Sequence, residues 1–215
     1  MTHKTIAVID YGMGNLHSVA KALQHVAPKD RIIISSDRQQ IEAADSVVLP
    51  GVGAIRDCMA GLHDTGLADV VKTVSANKPF LGICIGMQTL MNRSEENGGV
   101  PCLGIIDGDV QGFGFVTDDN GLRLKVPHMG WNNVYQREDH PIWHRIADGS
   151  RFYFVHSYFV KAQYEASVIG SADYGFPFDA VIQQDNIVAT QFHPEKSAAS
   201  GLQLLQNFVA WDGNQ

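Results

Sequence analysis

Four short apolar runs separated by amphipathic segments limit the folds open to this chain. "TIAVID", "RIIIS", "SVVLP" and "PFLGIC" are rich in branched residues and bounded by Asp, Ser, Pro or Gly. Each reads as a strand buried on both faces. The segments between them read as helices. In "NLHSVAKALQHV" Leu16, Val19, Ala20 and Leu23 share one face, with Asn15 at the N-cap position. "DRQQIEAAD" predicts a short helix capped by Asp37, and two more helices fall near "AIRDCMAGLH" and "GLADVVKTVSA". "GMQTLMNRSE", after Cys84, predicts another. Alternation of this kind implies an α/β fold, a parallel sheet with helices on both faces.

The second half changes character. "GLRLKV", "WNNVYQ", "RFYFVHSYF", "ASVIGSA", "AVIQQ" and "IVATQFH" are strand candidates with turn residues between them. "QQDNIVA" predicts a hairpin, and "SAASGLQLLQNFVAW" an amphipathic helix capped by Ser197 or Ser200. The sheet is therefore expected to be open and mostly parallel but mixed, extended by antiparallel strands. No repeat or low-complexity linker divides the chain, so residues 1–215 are expected to form one domain.

Composition narrows the function. The net charge is -7 and Lys and Arg are not clustered, which disfavours nucleic acid as a partner. No run approaches the roughly 18 apolar residues that span a bilayer, and the first apolar run is too short for a signal peptide. Three cysteines without a CxxC pair suggest neither a disulfide framework nor a zinc site. A cytoplasmic protein without metal or organic cofactor is expected.

Cys84 lies in "GICIG", between a strand and a helix-like run. Ligands of open parallel sheets sit at the carboxyl ends of strands. G-x-C-x-G is the cysteine counterpart of the G-x-S-x-G nucleophile elbow. A following helix N-terminus favours thiolate, and the Ile85 N–H would face an oxyanion. The other reading of these residues is a small buried cysteine among glycines. Cys58 and Cys102 lack this context. A thiol nucleophile needs a base, usually a histidine oriented by a third group. His193 in "QFHPEKS" follows an apolar strand and has Glu195 two places on; His156 and His128 compete for the role. "PGVG", with Gly51, Val52 and Gly53, closes the third strand with a flexible loop that could aim an N–H at an oxyanion if that strand neighbours the Cys84 strand.

"PGVG", "GICIGMQ" and "QFHPEKS", in this order, resemble the class I glutamine amidotransferases over essentially the whole chain. "DYGMGNLHSV", "VPHMGWN" and "YFVHSY" are similar to motifs of the branch that serves histidine biosynthesis. The resemblance implies a flavodoxin-like sheet and a glutaminase. It assigns Cys84 as nucleophile, His193 as base and Glu195 as its orienter, with Gly51, Val52, Gly53 and Ile85 at the oxyanion. It implies that Gln88, Glu96, Ser157 and Tyr158 hold the substrate glutamine. It further implies that ammonia passes to a separate cyclase subunit, a (β/α)8 barrel, which makes imidazole glycerol phosphate and an aminoimidazole carboxamide ribotide. Asn15, Trp131, Tyr153 and Lys196 match positions near that heterodimer interface. A γ-glutamyl hydrolase, a cysteine peptidase and a non-catalytic subunit are the alternatives.

Overall fold

The computed structural model describes residues 3–214. The four apolar runs form β1 (Thr5–Ile9), β2 (Arg31–Ser35), β3 (Ser46–Gly51) and β4 (Phe80–Cys84). They pair in parallel in the order β2-β1-β3-β4. β3 and β4 are buried at every position, as strands covered on both faces must be. The connections are α1 (Leu16–Val26), α2 (Arg38–Ala43), and α3 (Ile55–Asp64) with α4 (Leu67–Ser75). β1 to β2 runs one way along the sheet and β2 to β3 the other. Right-handed crossovers therefore put α1 on one face and α2 to α4 on the opposite one. In keeping with this, α2 and α3 both pack on α4, while α1 packs on the last helix, α6 (Ala198–Ala210).

The strands of the second half are β5 (Arg93–Ser94), β6 (Val100–Pro101), β7 (Gly108–Gly112), β8 (His128–Gln136), β9 (Ser150–His156), β10 (Tyr158–Ala162), β11 (Val168–Asp173), β12 (Pro177–Gln184) and β13 (Ile187–Thr190). β13 inserts beside β4 in parallel, completing the flavodoxin-like order 2-1-3-4 plus one. The sheet continues antiparallel through β12, β10 and β7. β11, β8 and β9 branch from β12 as an antiparallel ribbon. The β12–β13 hairpin turns at Asp185 and Asn186, with Asp185 at φ 51°, the left-handed conformation a tight turn requires.

Several local expectations are corrected. The helix after Cys84 is a single turn, α5 (Ile85–Gln88), because Asn92 N–H is already bonded to Gly108 O and the chain enters β5. "GLRLKV" alternates like a strand but makes one isolated bridge, Thr117–Arg123, and Leu122 is exposed. "RFYFVHSYF" breaks at Ser157 into β9 and β10. Asn15 makes no side-chain cap to α1, whereas Asp37 caps α2 through Gln39 and Gln40 N–H. Ser197 precedes α6 without capping it, since its hydroxyl donates to His193 O and accepts from Tyr153 N–H. β7 was not expected: "GDVQG" carries a single branched residue, Val110, which is fully buried.

Candidate active site

Cys84 ends β4, flanked by Gly51 at the end of β3 and by the segment that follows β13. Its φ of 56° is a conformation L-residues rarely adopt, and it turns the chain abruptly from strand into α5. The flanking glycines are dictated by close approach. A Cβ on Gly86 would lie 1.9 Å from Leu49 O, and one on Gly51 would lie 2.7 Å from Gly86 N. The elbow is thus interlocked with β3. As the first residue of α5, Ile85 has an N–H that helix geometry leaves unpaired. With one helical turn, the field at the sulfur comes from such first-turn amides rather than from a long macrodipole.

His193 follows β13 and is buried with Cys84, at 2% exposure each. Its Nδ1 and Glu195 Oε1 are 2.9 Å apart, and both side chains are almost wholly enclosed. His193 Nε2 is buried without a well-formed hydrogen bond, on the side that faces the Cys84 thiol. Burial alone would push the imidazole down. A Cys84 thiolate and the Glu195 carboxylate outweigh it and push His193 up to about 10. The pair therefore favours an imidazolium beside sulfur. The loop is pinned to β9 from two sides: His193 N–H donates to Tyr153 O (2.9 Å), and Ser197 Oγ accepts from Tyr153 N–H (2.9 Å).

These groups border a cavity of about 490 Å³. Val52, Gly53, Ile85, Gln88, Glu96, Ser157, Tyr158, Asn15 and Lys196 line it with Cys84 and His193. Gly51 lies behind the lining against α5, and Glu195 lies behind His193. Gln88 Nε2 donates to Tyr158 O and Gln191 Oε1, both at 3.0 Å, and its own Oε1 is buried without a partner. Glu96 Oε2 accepts from Ile55 N–H (3.1 Å), so one carboxylate oxygen ties this part of the cavity wall to the start of α3. The Val52 carbonyl accepts from Cys58 Sγ at 3.5 Å, on the α3 side of the loop. In that peptide the C=O is therefore turned to Cys58, and a trans peptide puts the Gly53 N–H on the opposite side.

Trp131 and Tyr153 are cross-strand partners of β8 and β9, outside the cavity. Their rings meet edge to face at 6.2 Å, and Lys196 Nζ stands 6.0 Å from the Tyr153 ring centre. Trp131 is 44% exposed, with Met129 and Val126 exposed beside it, so this aromatic ladder is a surface feature and not core packing. His128 and His156, the competing bases, are hydrogen-bonded to each other at 2.8 Å. Burial pushes His128 down to about 4 and His156 to about 3. Sequence reasoning missed Gln191, a fully buried polar residue at the end of an apolar strand, whose Nε2 lies 3.8 Å from Cys84 Sγ. A polar residue just before His193 was the available signal.

The family model described as glutamine amidotransferase class-I matches residues 7–211. The chain belongs to the class I glutamine amidotransferases. Within that family, it is 58% identical over 210 residues to imidazole glycerol phosphate synthase subunit HisH 1 of Pseudomonas aeruginosa, covering 98% of each chain. It is 54% identical to the HisH subunit of Acinetobacter baylyi, covering 96% of this chain and 98% of that one. Among solved structures, the amidotransferase fold recurs in one titled glutamine amidotransferase, at TM-score 0.70 and 17% identity, covering 95% of this chain and 97% of that one. It recurs also in PurLQS of Thermotoga maritima, at TM-score 0.70 and 15% identity, covering 97% and 99%.

Proposed function

We propose that this amidotransferase is the glutaminase subunit of imidazole glycerol phosphate synthase, acting in histidine biosynthesis. The observation that carries the reading is the enclosed Cys84, His193 and Glu195 at the cavity, in a chain more than half identical to HisH subunits. Cys84 attacks the side-chain amide carbon of glutamine. His193 holds the thiol proton and delivers it to the departing nitrogen, so ammonia leaves and a thioester remains. Water then attacks the thioester, His193 takes its proton, and glutamate is released. Glu195 orients His193 and stabilises its cationic form. Ile85 N–H and an N–H of the Gly51–Gly53 loop stabilise the tetrahedral oxyanion.

Gln88 Oε1 and the second oxygen of Glu96 suit the ammonium end of glutamine, and the Ser157–Tyr158 backbone borders the rest. The exposed Trp131 and Lys196, with the half-buried Tyr153 between them, support docking of a cyclase subunit of (β/α)8 barrel fold, with Asn15 near the passage between the two subunits. Because the Tyr153 backbone is bonded to both His193 and Ser197, docking on β8 and β9 bears directly on the catalytic histidine. No described helix is long and apolar enough to cross a membrane, and the reading is a cytoplasmic heterodimer without nucleic acid. The test is ammonia release from glutamine with and without the cyclase subunit, in wild type and Cys84→Ala. The reading expects turnover that rises with partner and vanishes in the variant. No turnover with partner, or undiminished turnover in Cys84→Ala, refutes it.

A further inference from the structure

One backbone carbonyl, Tyr158 C=O, fixes the direction of every hydrogen bond in two buried chains. A carbonyl only accepts. The Gln88 atom 3.0 Å from it must therefore be the amide nitrogen. That nitrogen also contacts Gln191 at 3.0 Å, and the facing atom of Gln191 must then be its oxygen. With Oε1 committed, Gln191 presents Nε2–H to Cys84 Sγ at 3.8 Å. On the other side, His156 Nδ1 lies 2.8 Å from Tyr158 O, so it carries the proton and His156 Nε2 accepts. His128 Nδ1, 2.8 Å away, must be the donor, and its Nε2 accepts from Asn132 Nδ2 at 3.3 Å. Reversing either glutamine amide would set two donors or two acceptors face to face in a buried site, which costs more than the bond itself.

We propose that Gln191 is a further catalytic residue: its Nε2–H is the hydrogen-bond donor to the Cys84 thiolate, and its Oε1 holds Gln88 so that Gln88 Oε1 faces the glutamine pocket. A donor to sulfur favours the charged over the neutral form. The position is rigid. Gln191 is fully buried, its backbone N–H donates to Ala180 O at 2.8 Å, and its side chain bridges two residues of the site. The orphaned Gln88 Oε1 is the other consequence of this polarity, since both Gln88 protons are spent on Tyr158 O and Gln191 Oε1. One amide thus serves the nucleophile and the substrate subsite together. The inference rests on reading Cys84 as the glutaminase nucleophile.

The test is the pH dependence of Cys84 alkylation by iodoacetamide, followed by peptide mass spectrometry, in wild type, Gln191→Leu and Gln191→Glu. Gln191→Glu keeps the shape and removes the donor. Both variants are expected to alkylate about tenfold more slowly at neutral pH, the loss of one hydrogen bond to a charged group, with the profile moved to higher pH. Gln191→Leu also frees Gln88, so KM for glutamine rises as well. Wild-type profiles in both Gln191 variants overturn the proposal. If neither variant folds, the wild type decides: the Gln191 side-chain amide resonances must shift as Cys84 titrates, and resonances that do not move overturn it. Alkylation reads the sulfur directly, so a chain that fails to hydrolyse glutamine but shows the shifted profiles fails the glutaminase reading alone.

Discussion

Gly86→Ala tests whether the elbow is as tightly locked as the backbone implies. The new Cβ would sit 1.9 Å from Leu49 O and 2.9 Å from Leu49 C, where real Cβ contacts essentially never fall below 3.0 Å. Both atoms are main chain of a buried central strand, so no rotamer change relieves the clash. α5 must move from β3 by about 1.1 Å, carrying the Ile85 N–H and the Cys84 sulfur with it. A misplacement near 1 Å at a reacting centre costs about 100-fold in rate. Overpacking of this kind costs about 1–3 kcal/mol, which in a chain of this size lowers Tm by about 2–12 °C. The assay is kcat/KM for glutamine with partner present, beside a thermal melt. Gly112→Ala is the control, because its Cβ would meet only the edge of the Tyr158 ring at 3.4 Å. Gly86→Ala with wild-type kcat/KM and Tm would refute the interlock and the strained elbow built on it.

Three further outcomes follow from the same geometry. Glu195→Gln should lower kcat by about 10²–10⁴ without abolishing binding; and because His193 is raised to about 10 when folded against 6.5 unfolded, the stability advantage of wild type over the variant should be full below pH 6.5 and fade toward pH 10 in urea melts. His128 and His156 shift the opposite way, so between pH 6.5 and about 3 the unfolded chain binds more protons than the native one, and denaturation midpoints should fall as pH drops through that window, less steeply in His128→Asn. Trp131→Ala, at an exposed site, should leave the melt of the isolated chain nearly unchanged yet weaken cyclase binding about 30-fold by calorimetric titration, as loss of an aromatic anchor does; unchanged affinity counts against β8 and β9 as the docking face.

The parallel half was legible because "SVVLP" and "PFLGIC" carry their burial in their composition: a run without polar alternation has to be covered on both faces. Adjacency of β3 and β4, which brings Gly51 beside Cys84, was legible only as a condition, since strand order is set by crossovers and not by local residues. The length of α5 was misread because Met87, Leu90 and Met91 keep a helical apolar spacing. Met87 lies in the one turn of α5, but Leu90 and Met91 are buried in the turn after it, where Leu103, Gly104, Ile105 and Ile106 bond back to residues 89–91. "GLRLKV" failed for the converse reason, an alternating pattern with no partner strand. Cys84, His193 and Glu195 were findable because glycines and a proline punctuate them. Gln191 has no such punctuation, and its part emerges only from which atom of which amide faces the Tyr158 carbonyl.

The central claim is that Cys84 is the nucleophile that accepts the glutamine side-chain carbon. Intact-mass and peptide-level mass spectrometry after incubation with a glutamine-derived electrophile test it most directly. The account predicts a single adduct, on Cys84, blocked by excess glutamine, absent in Cys84→Ala, and formed more slowly in Glu195→Gln. Labelling at Cys58 or Cys102 with Cys84 unmodified, or an undiminished adduct in Cys84→Ala, would contradict it.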